Sequence, residues 1–407
     1  MIRKKILIVA PFTVLPGEKG FNRFRYIAEE LAMLGHEVEL VTSNYSHAEK
    51  SFRQPDAEQW SEAALPYQLT LIEESGYKRN VSFARIRSHR RFERNLKLYL
   101  ELKENKVDVV YAAYPLMGAA QLAGSFAKRL GVPFILDIQD IWPESINSVL
   151  KLPDRWLKLL LAPMTAYANQ VYKLADYIVG VSDTYVARGK AANRKAKAYH
   201  CLFIGADQAY FDVCASRKVE VNKPMGEFWI TYIGTLSHSY DIETVIKAVA
   251  LLERTGYRDM VFNIFGSGPH ESRYRELAKQ LQAPVRFMGH QSYEDMIPYL
   301  VRSDVAANAI SRGARASVTN KIGDFLFAGL PMINSCENKE VMKMVTDCHI
   351  GFNYRPGDYT ECAHYIALLF HQKQFSRQLG VNSRNLAESR FDRRKTYPEL
   401  YKLILNT

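Results

Sequence analysis

Two blocks of short, uninterrupted apolar runs, each run followed by a helix-patterned stretch, constrain this chain most. In the first block the runs are residues 5–10 (KILIVA), 37–42 (EVELVT), 107–111 (VDVVY), 133–138 (PFILDI) and 176–181 (DYIVGV). In the second they are 228–233 (FWITYI), 261–265, 285–289 (VRFMG) and 305–310 (VAANAI). A continuous apolar run marks a strand buried on both faces, as in a parallel sheet with helices above and below. Between runs the period changes to that of a helix: Phe21, Phe24, Ile27, Ala28, Leu31 and Leu34 share one stripe, and Gly35 stands at the C-cap position. With 407 residues the chain exceeds one ordinary core. The pattern predicts an α/β protein of two doubly wound domains.

Periodicity fades between residues 207 and 226, which places the linker there. The expected division is a first domain at 1–206, the linker, a second domain at 227–385, and a C-terminal helix in 386–407 crossing back to the first. No apolar run reaches membrane-spanning length; the most apolar stretch, around Trp156–Met164, is broken by Lys158 and Pro163. The basic-then-apolar start MIRKKILIVA lacks a cleavage pattern and reads as the first strand. Five scattered cysteines without a C-x-x-C indicate thiols in a reducing cytoplasm, not a disulfide frame or a zinc site. Net charge of +11 suits an anionic ligand or surface.

Candidate residues lie past strand ends, where ligands sit in parallel sheets. The loop after residues 5–10 offers Gly17, Gly20, Arg23 and Arg25, but no G-x-G-x-x-G, so a dinucleotide is not expected. Past 133–138 come Asp137, Gln139, Asp140 and Glu144, carboxylates suited to acid/base or acceptor-positioning work. Residues 305–335 read as strand, polar loop, short helix and strand, with Arg312, Arg315 and Lys321 beside a helix start, a phosphate-binding combination. Residues 79–103 pattern as an amphipathic helix with a cationic face including Arg87, Arg90, Arg91 and Arg94. The alternatives there are a membrane surface, a solvated helix face and, least favoured, nucleic acid.

Several motifs in order resemble the GT-B glycosyltransferases, most of all the retaining group 1 superfamily known as family four. They are LAMLGHEVELVTS, ADYIVGVSDTYV, YIGTLSHSYDIETVIKA, FGSGP with VRFMGH, and DFLFAGLPMINS. FNRFRYIAEEL and DIQDIWPESI resemble bacterial capsule, exopolysaccharide and O-antigen sugar transferases. The resemblance covers nearly the whole chain. It implies a GT-B fold, two facing Rossmann-like domains, with a nucleoside-diphosphate sugar (a UDP-sugar) as donor. Its acceptor would be a saccharide, carried on a polyprenyl diphosphate at the inner face of the cytoplasmic membrane. Transfer with retention, no metal, no cofactor and no nucleic-acid partner are further implications.

Carried over residue by residue, the resemblance assigns the donor diphosphate to Gly20, Arg23, Gly234, Arg315 and Lys321. The nucleoside falls to Gly266, Gly268, Met288, Gly289 and Asp324. Asp324 stands where relatives keep a Glu for the ribose; the first Glu of the usual pair is Ala316 here. The usual Arg and Lys after the Gly-Thr turn are replaced around His238, Ser239 and Tyr240. Where many relatives have a His, Asp137 or Asp140 becomes the expected catalytic group. The rival expectations are an epimerase or phosphorylase on the same fold, or an inactive nucleotide-binding relative.

Overall fold

A computed structural model describes residues 3–18, 23–54, 60, 64–80, 82–103, 106–145, 154–217 and 219–314, then 318–407. Gly20, Arg315 and Ala316 lie outside the described residues. The chain divides into two compact units: residues 1–202 with 397–407, and residues 203–396.

The first unit is built on β1 (Lys5–Val9), β2 (Glu37–Ser43), a small hairpin of β3 (Tyr45–Ser46) and β4 (Ser51–Phe52), β5 (Gln68–Ile72), β6 (Val109–Tyr114), β7 (Phe134–Ile138), β8 (Tyr177–Gly180) and β9 (Ala198–Cys201). Seven strands form one parallel sheet in the order β5-β2-β1-β6-β7-β8-β9. α1 (Arg23–Met33) connects β1 to β2. α2 (Phe83–Leu102), α3 (Met117–Leu130), α4 (Asp154–Leu174) and α5 (Asp183–Ala192) make the crossovers in the opposite direction along the sheet. Right-handed crossovers therefore put α1 on one face and α2 to α5, side by side, on the other. α3 packs against α2 and α4.

The second unit carries α6 (Gln208–Ala215), β10 (Phe228–Ile233), α7 (Ile242–Arg254), β11 (Met260–Phe265), α8 (Glu271–Gln280), β12 (Val285–Gly289), α9 (Tyr293–Leu300) and β13 (Val305–Asn308). It continues with α10 (Asn320–Phe327), β14 (Met332–Asn334), α11 (Lys339–Asp347), β15 (Gly351–Asn353), α12 (Tyr359–His371) and α13 (Lys373–Leu386). Its six-stranded sheet runs β12-β11-β10-β13-β14-β15. β10 is entirely buried. α14 (Arg393–Asn406) starts in this unit, while Tyr397, Leu400, Tyr401 and Ile404 sit in the core of the first, on the α1 face.

The helices α4, α6 and α13 depart from the sequence expectation. α6 occupies the stretch read as linker, with the Asp207 side chain capping it through the Tyr210 N–H. Both sheets reverse direction at their first strand, between β1 and β6 and between β10 and β13. Loops diverge there, leaving a crevice at the carboxyl ends.

Candidate functional site

In the second unit the crevice is framed by the loop after β10 and by α10. Gly234 follows β10 with φ of 133°, and Gly266 follows β11 with φ of 132°. A Cβ on Gly266 would lie 1.9 Å from the Gly234 carbonyl oxygen, and one on Gly268 2.4 Å from that of Leu236. These glycines let two backbone loops touch. That loop contact is a packing role for them, beside the ligand approach expected from the sequence. Gly289 joins the same frame, its carbonyl accepting the Gly266 N–H at 2.7 Å. The Met288 carbonyl accepts Gln291 Nε2 at 2.8 Å.

α10 forms because Ile322, Phe325 and Leu326 share a buried stripe. It stops where the Gly329 N–H meets the Leu326 carbonyl (3.0 Å) and the Leu330 N–H meets that of Phe325 (3.3 Å). That is a Schellman ending, with Gly329 at φ 66°. At its start Thr319 stands at the N-cap, yet its side chain makes no capping bond. The Thr319 hydroxyl is buried without a hydrogen-bond partner among the described residues.

Lys321, in the first turn, is the centre of the site. Its side chain is buried, and Nζ has no hydrogen-bond partner among the described residues. Nζ lies 4.3 Å from the ring centre of Tyr232 and 4.2 Å from that of Tyr240. A Cβ on Gly234 would come within 3.5 Å of it, so this ammonium sits under the turn at the sheet's reversal. Burial pushes its pKa down from 10.5 to about 7. A buried cation without an anion is costly, and a helix start beside it adds positive potential. An anion beside Nζ would relieve that cost. Sequence reasoning found Lys321 and Gly234 but missed Tyr232 and Tyr240; the aromatic pair flanking the Gly-Thr turn was the available signal.

Asp324, one turn on, accepts the Tyr293 hydroxyl through Oδ1 at 2.8 Å. Burial raises its pKa to about 6 despite that bond. One carboxylate oxygen is thus committed to Tyr293, and the Arg393 charge also favours the ionised form. Arg312 is exposed and turned to the Pro356 carbonyl at 3.3 Å.

In the first unit the expected residues are engaged elsewhere. Asp137 is fully buried. Its Oδ2 meets Arg23 Nε at 2.6 Å and accepts the Tyr111 hydroxyl, and Oδ1 accepts Gln139 Nε2 at 2.7 Å. Arg23 also donates to the Leu202 carbonyl (2.9 Å) and to the Tyr397 hydroxyl (3.0 Å). Burial opposes the charge on Arg23, but Asp137 overcomes it and holds the guanidinium protonated. Burial and the Asp137 charge push the Tyr111 phenol far up. The pair, expected from the sequence at a catalytic and a diphosphate position, ties α1, β7 and α14 together.

Asp140 is half-buried and organises its own loop. Oδ1 accepts the Ile141 N–H at 2.8 Å and the Ser145 hydroxyl, and Oδ2 accepts Trp142 Nε1 at 3.0 Å. Its oxygens thus support the loop locally. Glu144 is paired with Arg188. Sequence reasoning passed over a ring cluster at the ends of β1 and β2. Phe12 lies 5.1 Å from His47 and 5.5 Å from His89, and Tyr77 adjoins both imidazoles. Burial first, then Lys50 and Arg85 for His47, and Arg85, His47 and Lys50 for His89, push both histidines down to about 4.

On α2, Arg87, Arg90 and Arg94 are exposed as expected, but Arg91 pairs with Glu73 at 2.5 Å. No helix among the described residues is long and apolar enough to cross a membrane. A group of possible metal-ligating residues includes none of the residues singled out in the sequence.

Two parallel Rossmann-like sheets, each with its reversal, define the GT-B class of glycosyltransferase folds. Residues 22–200 are a glycosyl transferase 4-like domain, and residues 216–386 a glycosyl transferases group 1 domain, by match to the models of those families. Solved structures agree in fold. Sucrose-phosphate synthase from Thermosynechococcus elongatus superposes with a TM-score of 0.74 at 14% identity, covering 99% of each chain. HepE from Anabaena, in complex with UDP-glucose, gives 0.67 at 14% identity over 100% of each chain. WaaG, a glycosyltransferase involved in lipopolysaccharide biosynthesis, gives 0.66 at 12% identity, covering 98% of this chain and 100% of its own. No curated protein sequence matches the chain.

Proposed function

We propose that this protein transfers a sugar from a UDP-sugar to a saccharide acceptor, with retention. The carrying observation is Lys321: a buried ammonium without a hydrogen-bond partner among the described residues, under Gly234 and at a helix start. A nucleoside diphosphate supplies the missing anion, and the same contacts stabilise it as it leaves the anomeric carbon. Asp324 offers its remaining oxygen to the ribose, next to the main chain of Met288 and Gly289. Retention and the UDP nucleotide are supported by the family resemblance, and UDP also by the HepE complex.

The acceptor belongs to the first unit, whose carboxyl edge carries the Phe12, His47, Tyr77 and His89 rings. A lipid-linked acceptor in bacterial surface polysaccharide synthesis is supported by the cationic face of α2 and by resemblance to WaaG in fold. On this reading the protein works in the cytoplasm, peripheral on the inner membrane face.

The test is a thermal-shift panel of nucleoside diphosphates on wild type and on Lys321→Met, followed by release of UDP from UDP-sugars. UDP should stabilise the wild type and shift the variant little. Turnover should need an added saccharide. Equal stabilisation of both proteins would remove Lys321 from the donor site, and turnover without acceptor would favour an epimerase.

A further inference from the structure

The outer helical layer of the first unit carries a feature that transfer chemistry does not use. α4 turns Trp156, Leu159, Leu160 and Met164 outward, with 56%, 68%, 62% and 36% of their surfaces exposed. The spacing i, i+3, i+4, i+8 makes them one stripe. Leu157, Leu161 and Ala168 form the buried stripe of the same helix. α4 is thus apolar towards the sheet and apolar again towards solvent. A contiguous exposed apolar patch marks a contact surface.

Charge identifies the occupant. Asp154 is the sole acidic residue in 154–174, against Arg155, Lys158 and Lys173. The Arg155 guanidinium lies over the Trp156 ring, 5.6 Å from its centre. In the same layer α2 exposes Arg87, Arg90 and Arg94, and Phe83 is 91% exposed. Both helices begin at the carboxyl edge of the sheet, so their first turns share one end of the layer. Tryptophan and leucine with an excess of cations beside them match a surface that is apolar inside and anionic at its rim. A second copy of the chain fits less well, because joining two such stripes would bring the Arg155 guanidinium of both copies together.

We infer that the exposed stripe of α4 inserts into an anionic bilayer, with the arginines of α2 held at the headgroups beside it. The inference rests on the membrane part of the reading above. It adds an apolar anchor to what charge alone supplies, lying in the interface and not across it.

The experiment is co-sedimentation with phosphatidylcholine vesicles, with and without phosphatidylglycerol. Three proteins are compared: wild type, a Leu159→Glu/Leu160→Glu variant, and an Arg87→Glu/Arg90→Glu/Arg94→Glu variant. Melting curves verify that each is folded, since every altered side chain is exposed. Wild type should bind the phosphatidylglycerol vesicles, and the α4 variant should bind them roughly tenfold more weakly or worse. Vesicles should also blue-shift the tryptophan emission, and Trp156→Phe should remove that shift.

If the α4 variant binds like wild type while the α2 variant does not, the inserting stripe is overturned and the membrane reading survives. If wild type binds neither vesicle, both fall. If wild type is a dimer that the α4 variant breaks, without vesicle binding, the stripe belongs to a second copy.

Discussion

At the scale of single residues, two of the buried cations have opposite fates. Arg23 has its anion inside the protein; Lys321 has none among the described residues. Removing one partner of a buried pair such as Arg23–Asp137 costs about 3–5 kcal/mol, which is a structural signature. Lys321 yields a pH signature instead. Its pKa is lowered from 10.5 to about 7, so the unfolded chain binds more protons than the ligand-free folded one between those values. Stability without ligand therefore rises with pH through that window, and the burden of the charge is fullest below it. A bound diphosphate needs the ammonium, so UDP affinity should be highest near or below pH 7 and fall above it. Calorimetric titration across this range should show the decline in the difference between wild type and Lys321→Met, whose own curve carries only the nucleotide's titration. The variant should also melt higher than wild type at mildly acidic pH without ligand. The sequence displayed Asp137 as a carboxylate at a strand end, but its partner lies 114 residues away, and no local pattern reports that distance.

At the scale of elements, the loops that follow strands decide the site's shape. Gly266 is the clearest case, with positive φ and a neighbouring backbone 1.9 Å from where its Cβ would be. Gly266→Ala should destabilise the second unit by about 3 kcal/mol and weaken UDP binding, because the β10 and β11 loops must part. Gly131→Ala is the comparison: φ of 68° and nothing within 4 Å, so only the left-handed strain of about 1–2 kcal/mol remains. Urea denaturation of both variants checks the contrast, and equal losses would remove the loop contact from the explanation. Most strands and amphipathic helices were legible because their period is local. α2 was visible for that reason. α4 was not, since apolar side chains on both faces erase the helical period. α6 has 8 residues, too short to stand out. The candidate site was half legible: Lys321 and Gly234 announced themselves, while Tyr232 and Tyr240 read as ordinary apolar positions.

At the scale of the whole molecule, the first unit is made from both ends of the chain and the second from its middle. Tyr397, Leu400 and Ile404 are essentially fully buried in the first unit's core. Burying one large side chain contributes about 2 kcal/mol, so several on α14 amount to a substantial part of a unit's stability. A chain ending at residue 396 should lose the first unit's melting transition or lower it sharply, keep the second unit's, and regain part of the loss when a 393–407 peptide is added. Retention of both transitions in the truncated chain would show that α14 only decorates the sheet. This arrangement also sets the order of events on the ribosome. Domains generally fold as they emerge, N-terminal ones first. Here the half that is synthesised first must wait with its α1 face open, while the half that is synthesised second has its entire sequence available sooner. Residues 397–407, synthesised after the whole of the second unit, complete the unit to which β1 belongs.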